Sequence, residues 1–142
     1  MSVKQISVFI ENKPGKLSEV ARFLAENGIN LKALSIADTQ DFGILRIICD
    51  DPDNAKAVLL EGGYLIKRNN VLAVALSDEP GALANILDIL SDAGVSVEYT
   101  YAFLSQKPGA GAYMIFRVDD NQVAAAALAA AGIKTADQSD LF

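Results

Sequence analysis

The sequence predicts an α+β protein in which one strand-helix-strand-strand-helix-strand unit occurs twice. A Pro-Gly elbow joins a strand pattern to a helix pattern at Pro14-Gly15, and it does so again, 66 positions later, at Pro80-Gly81. The apolar residues of the helix after each elbow keep the same phase. A fixed internal period is the signature of a repeated structural unit. We therefore predict two domains, residues 1–69 and 70–142.

The first repeat alternates apolar and polar residues where strands are expected, and it has a helical period where helices are expected. Its first helix is expected to end at Gly28, in a left-handed cap. The turn-rich residues Asp38-Thr39-Gln40-Asp41 indicate a hairpin between the second and third strands. The predicted strands are 3–10, 29–37, 42–49 and 64–67, and the predicted helices are 17–28 and 50–61.

The second repeat follows the same order, with a longer hairpin loop at 106–111. Its predicted strands are 71–76, 95–104, 113–118 and 133–136, and its predicted helices are 81–93 and 122–131. Only Arg68-Asn69-Asn70 connects the halves, so we expect the two domains to touch. Each half predicts a split βαβ repeat of the ferredoxin-like type, with an antiparallel sheet of four strands and both helices on one face.

The two elbows combine a capping residue with proline and glycine. Asn12 or Asp78 is expected to accept hydrogen bonds from free N–H groups at the helix start, while the proline fixes φ where no N–H is needed. Gly15 or Gly81 would let the backbone approach another group closely. A helix N-terminus also favours anions. Each elbow is therefore either a structural cap or a ligand site, and both interpretations stay open here.

Composition excludes several classes of function. The net charge is −6, and the second half holds nine acids but only three bases, which argues against nucleic acid as a partner because phosphate backbones require a basic face. The chain has no histidine and a single cysteine, Cys49, so soft-metal sites and most catalytic triads are excluded. We expect no metal, no cofactor and no catalysis. We interpret Cys49 as a small buried hydrophobe.

Three patterns that resemble functional motifs have a structural interpretation. The glycines of Lys107-Pro108-Gly109-Ala110-Gly111 lack the ending of a phosphate loop and predict a hairpin. The acidic pairs Asp50-Asp51 and Asp119-Asp120 each precede a helix, where acids cap free N–H groups, so we interpret them as caps rather than metal ligands. Aromatic residues on the strands lack the basic neighbours of an RNA-binding sheet.

An acylphosphatase-like activity is the enzyme alternative, because that small enzyme shares the predicted topology; such an activity would depend on Arg46 or Arg117. No apolar run approaches the roughly 20 residues that span a bilayer, and the chain enters its first strand without a signal-peptide pattern. We therefore expect no membrane partner and a cytoplasmic location.

The elbows and the strands that follow their helices resemble the ACT domain, a small ligand-sensing module. The residues that carry the resemblance are Asn12-Lys13-Pro14-Gly15-Lys16-Leu17 with Gly28-Ile29-Asn30-Leu31, and Asp78-Glu79-Pro80-Gly81-Ala82-Leu83 with Gly94-Val95-Ser96-Val97. The resemblance covers essentially the whole chain. It implies a stand-alone tandem ACT protein, which departs from the usual attachment of such modules to an enzyme.

The resemblance further implies that domains pair side by side or as a homodimer, and that a small effector, most often an amino acid, binds between domains against the elbow and the following strand. Any regulated enzyme would be a separate protein. The alternative is an assembly module without a small ligand. The implied ligand-binding residues are Asn12, Lys13, Pro14, Gly15, Lys16, Leu17, Asn30, Asp78, Glu79, Pro80, Gly81, Ala82, Leu83 and Ser96.

Physical chemistry allows such binding at either elbow. The carboxylate of an amino acid would meet helix N–H groups near Gly15 or Gly81, and its ammonium group would meet Asp78 or the Asn12 amide oxygen. The first elbow is neutral to basic in sequence and the second is acidic, so the two copies are expected to differ in affinity.

Overall fold

A computed structural model describes residues 2–38, 41–105 and 111–142. The chain divides into two compact units, Lys4–Asn69 and Asn70–Phe142, and the second unit also takes in Val3. The predicted turn residues Thr39 and Gln40 and most of the loop 106–111 lie outside the described residues.

The first unit has the predicted order of elements. Strand β3 pairs antiparallel with β1 on one side and with β2 on the other, and β4 is the other neighbour of β1, giving the order β2-β3-β1-β4. Its elements are β1 (Val3–Glu11), α1 (Lys16–Glu26), β2 (Leu31–Asp38), β3 (Phe42–Cys49), α2 (Pro52–Glu61) and β4 (Leu65–Leu76), whose second half lies in the other unit.

The second unit repeats this arrangement. Strand β6 pairs antiparallel with β4 and β5, and the short β7 pairs antiparallel with the opposite side of β4. Its further elements are α3 (Ala82–Asp92), β5 (Val97–Leu104), β6 (Ala112–Val118), α4 (Asn121–Ala130), β7 (Thr135–Ala136) and α5 (Gln138–Leu141). The predicted α+β class and the ferredoxin-like order of both repeats are confirmed.

Each unit buries one apolar face of its sheet under its two long helices, because apolar residues recur with period two on the strands and at helical spacing on the helices. The first core contains Ile6, Val8, Leu45, Ile47, Val20, Leu24, Ala55 and Leu59. The second core contains Leu72, Val74, Phe116, Val118, Ile86, Leu90, Ala124 and Leu128. The four helix residues and the two first-strand residues of each set occupy matching positions in the two repeats, and on the third strand Ile47 matches Phe116.

The ends of α1 and α3 follow the predicted glycine caps. Gly28 and Gly94 have positive φ values of 73° and 74°. The next N–H along the chain, from Ile29 or Val95, donates back to Leu24 O or Leu90 O at 2.9 Å in each case. This is the Schellman pattern of a helix end. Because Ile29 and Val95 complete these caps, β2 and β5 begin two residues later than the sequence predicted.

The predicted interruption between the last strand of the first repeat and the first strand of the second is wrong. Arg68-Asn69-Asn70 was expected to connect two strands, but it lies inside the 12-residue strand β4. Its polar groups have partners that keep the backbone extended. Arg68 pairs with Asp53 at 2.8 Å, and the Asn70 carbonyl accepts from Arg117 Nη1 at 3.3 Å and from Asn121 Nδ2 at 3.1 Å.

The short C-terminal helix α5 was not predicted. It carries Phe142 to Phe103 at a ring-centroid distance of 6.2 Å, and Phe103 also meets Tyr113 at 6.4 Å. Phe103 and Tyr113 lie on the face of their sheet opposite α3 and α4, so α5 helps to cover that face. The Asp137 N–H donates to Asp140 Oδ2 at 2.9 Å, which fixes the start of the helix.

The helix starts divide into two kinds. Asp51 caps α2 by accepting from the Asn54 N–H at 3.1 Å, and Asp120 caps α4 by accepting from two N–H groups at 3.1 Å each. Capping by Asp51 and Asp120 is thus confirmed for the acidic pairs. The predicted caps at Asn12 and Asp78 are wrong, since glycine occupies the N-cap of α1 and α3 without any side-chain cap bond.

The two kinds of helix start predict different mutational costs. Asp51→Ala and Asp120→Ala are each expected to lower the free energy of unfolding by about 1 kcal/mol, because each leaves helix N–H groups without an acceptor. Asp78→Ala is expected to change it by less than about 0.5 kcal/mol. Urea denaturation followed by circular dichroism measures all three. A loss in Asp78→Ala equal to that in Asp51→Ala contradicts the assignment of the caps.

Candidate functional site

The first elbow is a tight turn between β1 and α1. The Lys16 N–H donates to the Lys13 carbonyl at 3.2 Å, and Gly15 has φ 84° and ψ −11°. Proline at the second position and a glycine of positive φ at the third are the features of a type II turn. Helical bonding starts at once, since the Glu19 N–H donates to the Gly15 carbonyl at 2.9 Å.

The second elbow has the same construction. The Ala82 N–H donates to the Glu79 carbonyl at 3.2 Å, Gly81 has φ 86° and ψ −4°, and the Asn85 N–H donates to the Gly81 carbonyl at 2.9 Å. A side chain at Gly15 or Gly81 would point into open space, with no atom within 4 Å of an added Cβ. Both glycines are therefore required by their positive φ rather than by crowding.

The turns also explain why Asn12 and Asp78 do not cap the helices. Each stands directly before the four residues of its turn, three positions before the glycine that occupies the N-cap. The Asn12 backbone N–H instead donates to the Asp41 carbonyl at 3.2 Å. Capping requires the side chain to stand at the N-cap itself.

Each elbow leaves helix N–H groups available. Among the described residues, no acceptor meets the N–H groups of Leu17 and Ser18, or those of Leu83 and Ala84. Leu17 is 41% exposed and Leu83 is 37% exposed, so apolar surface lies beside these donors. Backbone donors at a helix N-terminus favour a negatively charged group. The donors at each elbow therefore have the chemistry that suits a carboxylate.

Charge at the first elbow is balanced by local pairs. Lys13 Nζ lies 2.9 Å from Glu11 Oε2, and Lys16 Nζ lies 3.4 Å from Glu19 Oε2. The hydrogen bond from Lys13 lowers the pKa of Glu11, and the same bond raises the pKa of Lys13. These exposed pairs reduce the basic character that the sequence suggests. Asp78 and Glu79 keep the second elbow acidic.

Asn30 and Ser96, the residues at the strand starts that were grouped with the elbows, lie at the other end of the sheet from the elbow of their own unit. At one end of β3, Phe42 pairs with Glu11, which precedes the first elbow; at the other end, Cys49 pairs with Leu31, which follows Asn30. Seven residue steps of strand separate these ends by about 23 Å. Within one unit, a small ligand at the first elbow therefore does not reach Asn30.

Ser96 is placed in the same way in the second unit. Leu76, which precedes the second elbow, pairs with Ala112 at one end of β6, while Val97 pairs with Val118 at the other end. The Ser96 N–H donates to Asp119 Oδ1 at 3.0 Å, and the Asp119 N–H donates to the Ser96 carbonyl at 3.2 Å. The two bonds fix the entry to β5.

A cavity that the sequence did not suggest adjoins the first elbow. Its volume is about 320 Å³, and it lies between the end of β1, the first turn of α1 and the connection from α2 to β4. Its apolar walls include Phe9, Phe42, Tyr64 and Leu65, and its charged walls are Glu11, Lys16 and Glu19. Of these residues, only Lys16 was predicted to contact a ligand.

The second unit has a cavity in the matching place. It has a volume of about 360 Å³, and it lies between the end of the first strand of that repeat, the first turn of α3 and the residues that lead into β7. Gly132 and Ile133 line it where Gly63 and Tyr64 line the first cavity. The repeat in the sequence predicts which positions of the two units correspond, but it does not predict the cavity, which depends on how the side chains pack.

The comparison with protein families agrees with the elbows and the repeated topology. A family model described as an ACT domain pair matches residues 1–141. The chain belongs to the ACT domain pair family. A crystal structure of a Bacteroides thetaiotaomicron protein is 38% identical to this ACT pair and has a TM-score of 0.90; the match covers 99% of this chain and 96% of that one.

Two named relatives complete the comparison. The regulatory subunit of aspartate kinase from Thermus thermophilus shares the fold at a TM-score of 0.62 and 19% identity, over 91% of this chain and 90% of that one. The acetolactate synthase small subunit of Buchnera aphidicola is 30% identical over 80 residues, which cover 56% of this ACT pair. The match spans 50% of the length of that small subunit.

The described residues lack two further features, a membrane-spanning helix and a cluster of metal ligands. No helix in these parts of the chain has the length and apolar character needed to cross a bilayer. The same residues contain no group of three or more cysteine, aspartate or glutamate side chains arranged to hold a metal ion.

Cys49 provides a prediction about reactivity. Its side chain is 1% exposed, and burial, with the nearby Asp50 carboxylate, raises the pKa of its thiol from 9.0 to about 11. Because thiolate is the reactive form, iodoacetamide at pH 8 is expected to label the folded protein far more slowly than the protein in 8 M urea. Mass spectrometry measures the labelling, and equal rates would contradict burial of the thiol.

The same pKa shift predicts how stability changes with pH. The unfolded thiol ionises from about pH 9, whereas the folded thiol ionises only near pH 11. The stabilisation is therefore complete below pH 9 and is lost as pH rises towards 11. The free energy of unfolding is expected to fall more steeply over this range in the native sequence than in Cys49→Ala, which is the control for all other titrating groups.

Proposed function

We propose that this ACT pair is an amino-acid-sensing regulatory protein whose effector binds at an elbow, between two copies of the domain. The observation that carries the proposal is the pair of available N–H groups at Leu17 and Ser18, beside exposed apolar surface. Their geometry suits a carboxylate attached to an apolar group. The second elbow offers the same donors at Leu83 and Ala84.

The position of Asn30 and Ser96 supports binding between domain copies. Each lies at the end of its own sheet away from its own elbow. A ligand that contacts both an elbow and a strand start would therefore contact the elbow of one domain copy and the strand start of another. We retain the whole predicted ligand set on this basis, with domain limits at 1–69 and 70–142, and we propose that a homodimer brings the copies together.

The regulated partner in this proposal is a separate metabolic enzyme. Two of the relatives are named as the regulatory subunit of one enzyme and the small subunit of another, which supports a role as a subunit that acts on an enzyme. We propose that it acts in the cytoplasm. We propose no catalytic activity for the chain itself. The buried thiol of Cys49 and the absence of histidine from the sequence support this.

A pure assembly module is the second candidate, and strand β2 favours it. This strand ends the strand order of its unit, and Leu34 and Ile36 on it are 52% and 43% exposed. An edge strand with exposed apolar side chains is suited to pairing with another chain. The assembly function requires no small ligand at the elbows.

The proposal predicts a thermal shift with at least one of the twenty amino acids. An effector at a hundred times its dissociation constant is expected to add about 2.7 kcal/mol to the stability of the folded state. Gly15→Val is expected to abolish the shift, because its side chain occupies the open space beside the helix N–H groups. If only the second elbow binds, Gly81→Val abolishes it instead.

Matched controls separate lost binding from lost stability. Gly28 and Gly94 also have positive φ and open space around an added Cβ, but each lies at the C-terminal end of its helix. Gly28→Val and Gly94→Val are therefore expected to carry comparable strain, about 1–2 kcal/mol or more, while keeping the shift. The absence of any shift in the folded native protein would favour the assembly function.

Light scattering tests the proposed dimer. The full chain is expected to have twice the mass of 15.0 kDa at micromolar concentration, because the edge strand β2 would be covered in the dimer. Leu34→Lys, which places a charge on this edge, is expected to shift the protein towards the monomer. A monomer of the native sequence would contradict the dimer.

A further inference from the structure

We infer that the cavity beside the first elbow holds the side chain of the effector and selects an amino acid with a large apolar side chain. This inference rests on the proposed function and adds to it the class of ligand. It also assigns different specificities to the two repeats, because the matching cavity of the second repeat has a different lining.

The lining of the first cavity suits an apolar side chain. Phe9, Phe42, Tyr64 and Leu65 approach it from three strands and from the connection that precedes β4. Phe42 is 54% exposed and Leu65 is 70% exposed, so apolar surface here remains open to water that a ligand would displace. A volume of about 320 Å³ lies at the small end of the range for ligand pockets. The ligand is accordingly of amino-acid size.

The charged groups of this cavity suit a zwitterion. Glu11 and Glu19 can accept from an ammonium group, and Lys16 can donate to a carboxylate from the same helix turn that presents the free N–H groups. The Lys16–Glu19 contact of 3.4 Å is long and exposed. Such surface pairs contribute little stability, so a ligand can replace the contact at small cost.

The Tyr64 side chain, part of the aromatic wall of the cavity, is supported by packing on its other side. The Tyr64 ring packs against Phe23 at a centroid distance of 5.3 Å. Phe23 in turn fills the space above Gly62, where an added Cβ would come within 2.5 Å of Phe23 Cζ. Burial raises the pKa of the Tyr64 hydroxyl, and Glu19 adds to the effect, so this group stays protonated and able to donate. A wall already ordered loses little conformational freedom on binding.

The second cavity lacks these features. Ala75, Ala82 and Ile133 stand where the first cavity has Phe9, Lys16 and Tyr64. Asn85 replaces Glu19, and Lys134 is the charged residue of the lining. An ammonium group would find no carboxylate among these lining residues, and no aromatic wall would cover an apolar side chain. We therefore assign hydrophobic selectivity to the first repeat alone.

Isothermal titration calorimetry of the full chain tests the inference with L-leucine, L-phenylalanine, L-alanine and L-serine as probes. L-Leucine or L-phenylalanine is expected to bind at least tenfold more tightly than L-alanine and L-serine. Tyr64→Ala is expected to reduce this ratio to less than threefold. The matched variant Ile133→Ala, in the second repeat, is expected to leave the ratio unchanged within twofold.

A second variant covers the case in which Tyr64→Ala does not fold. Leu65 lines the same cavity and is 70% exposed, so Leu65→Ala retains the core and is expected to reduce the ratio at least threefold. In amide NMR spectra, the preferred ligand is expected to shift Gly63 and to leave Gly132 in place. A shift of Gly132 alone would overturn the assignment to the first repeat.

The outcomes separate this inference from the proposed function. Binding of small or charged amino acids in preference to apolar ones overturns the inference and leaves amino-acid sensing in place. An apolar preference that survives both Tyr64→Ala and Leu65→Ala also overturns it, because the selectivity then resides elsewhere. Failure of all twenty amino acids to bind overturns both.

Discussion

The positive φ of one glycine at each elbow is the constraint on which the rest of the structure depends. With Gly15 at φ 84° and Gly81 at φ 86°, the chain turns from strand to helix within four residues. Because the turn ends where the helix begins, the first helical N–H groups stand at the surface without a side-chain cap. The same turn directs α1 and α3 across their sheets, where their apolar faces close the two cores. Fold and candidate site therefore share one backbone conformation.

Local patterns in the sequence were sufficient for most elements and for their order. The bounds of β3 were predicted as observed, because an alternating apolar run between turn residues defines both ends. The caps at Asp51 and Asp120 were also predicted, since an aspartate directly before a helix has few other roles. The same rule wrongly predicts caps at Asn12 and Asp78, because a type II turn adds residues between each of these side chains and its helix.

Features that depend on distant partners were not predictable. Arg68-Asn69-Asn70 reads as a linker, yet the groups that hold it in β4 come from Asp53, Arg117 and Asn121. The cavity wall likewise joins Phe42 and Tyr64, which are far apart in the chain. The resemblance to the ACT domain groups Asn30 with the elbow in a ligand site between domains, and the pairing register adds that the two lie at opposite ends of β3 within one unit.

The two repeats differ most where packing constrains them least. Core positions are restricted to apolar residues, since a large-to-small change in the core costs about 2–5 kcal/mol and overpacking costs about 1–3 kcal/mol. The elbow glycines are restricted by φ. The cavity walls at the end of the sheet are subject to neither restriction. In these walls Ile133 occupies the position that corresponds to Tyr64, and Asn85 occupies the position that corresponds to Glu19. A duplicated fold can therefore keep two equivalent helix N-termini for the common part of a ligand, while the adjoining walls diverge to distinguish its side chain.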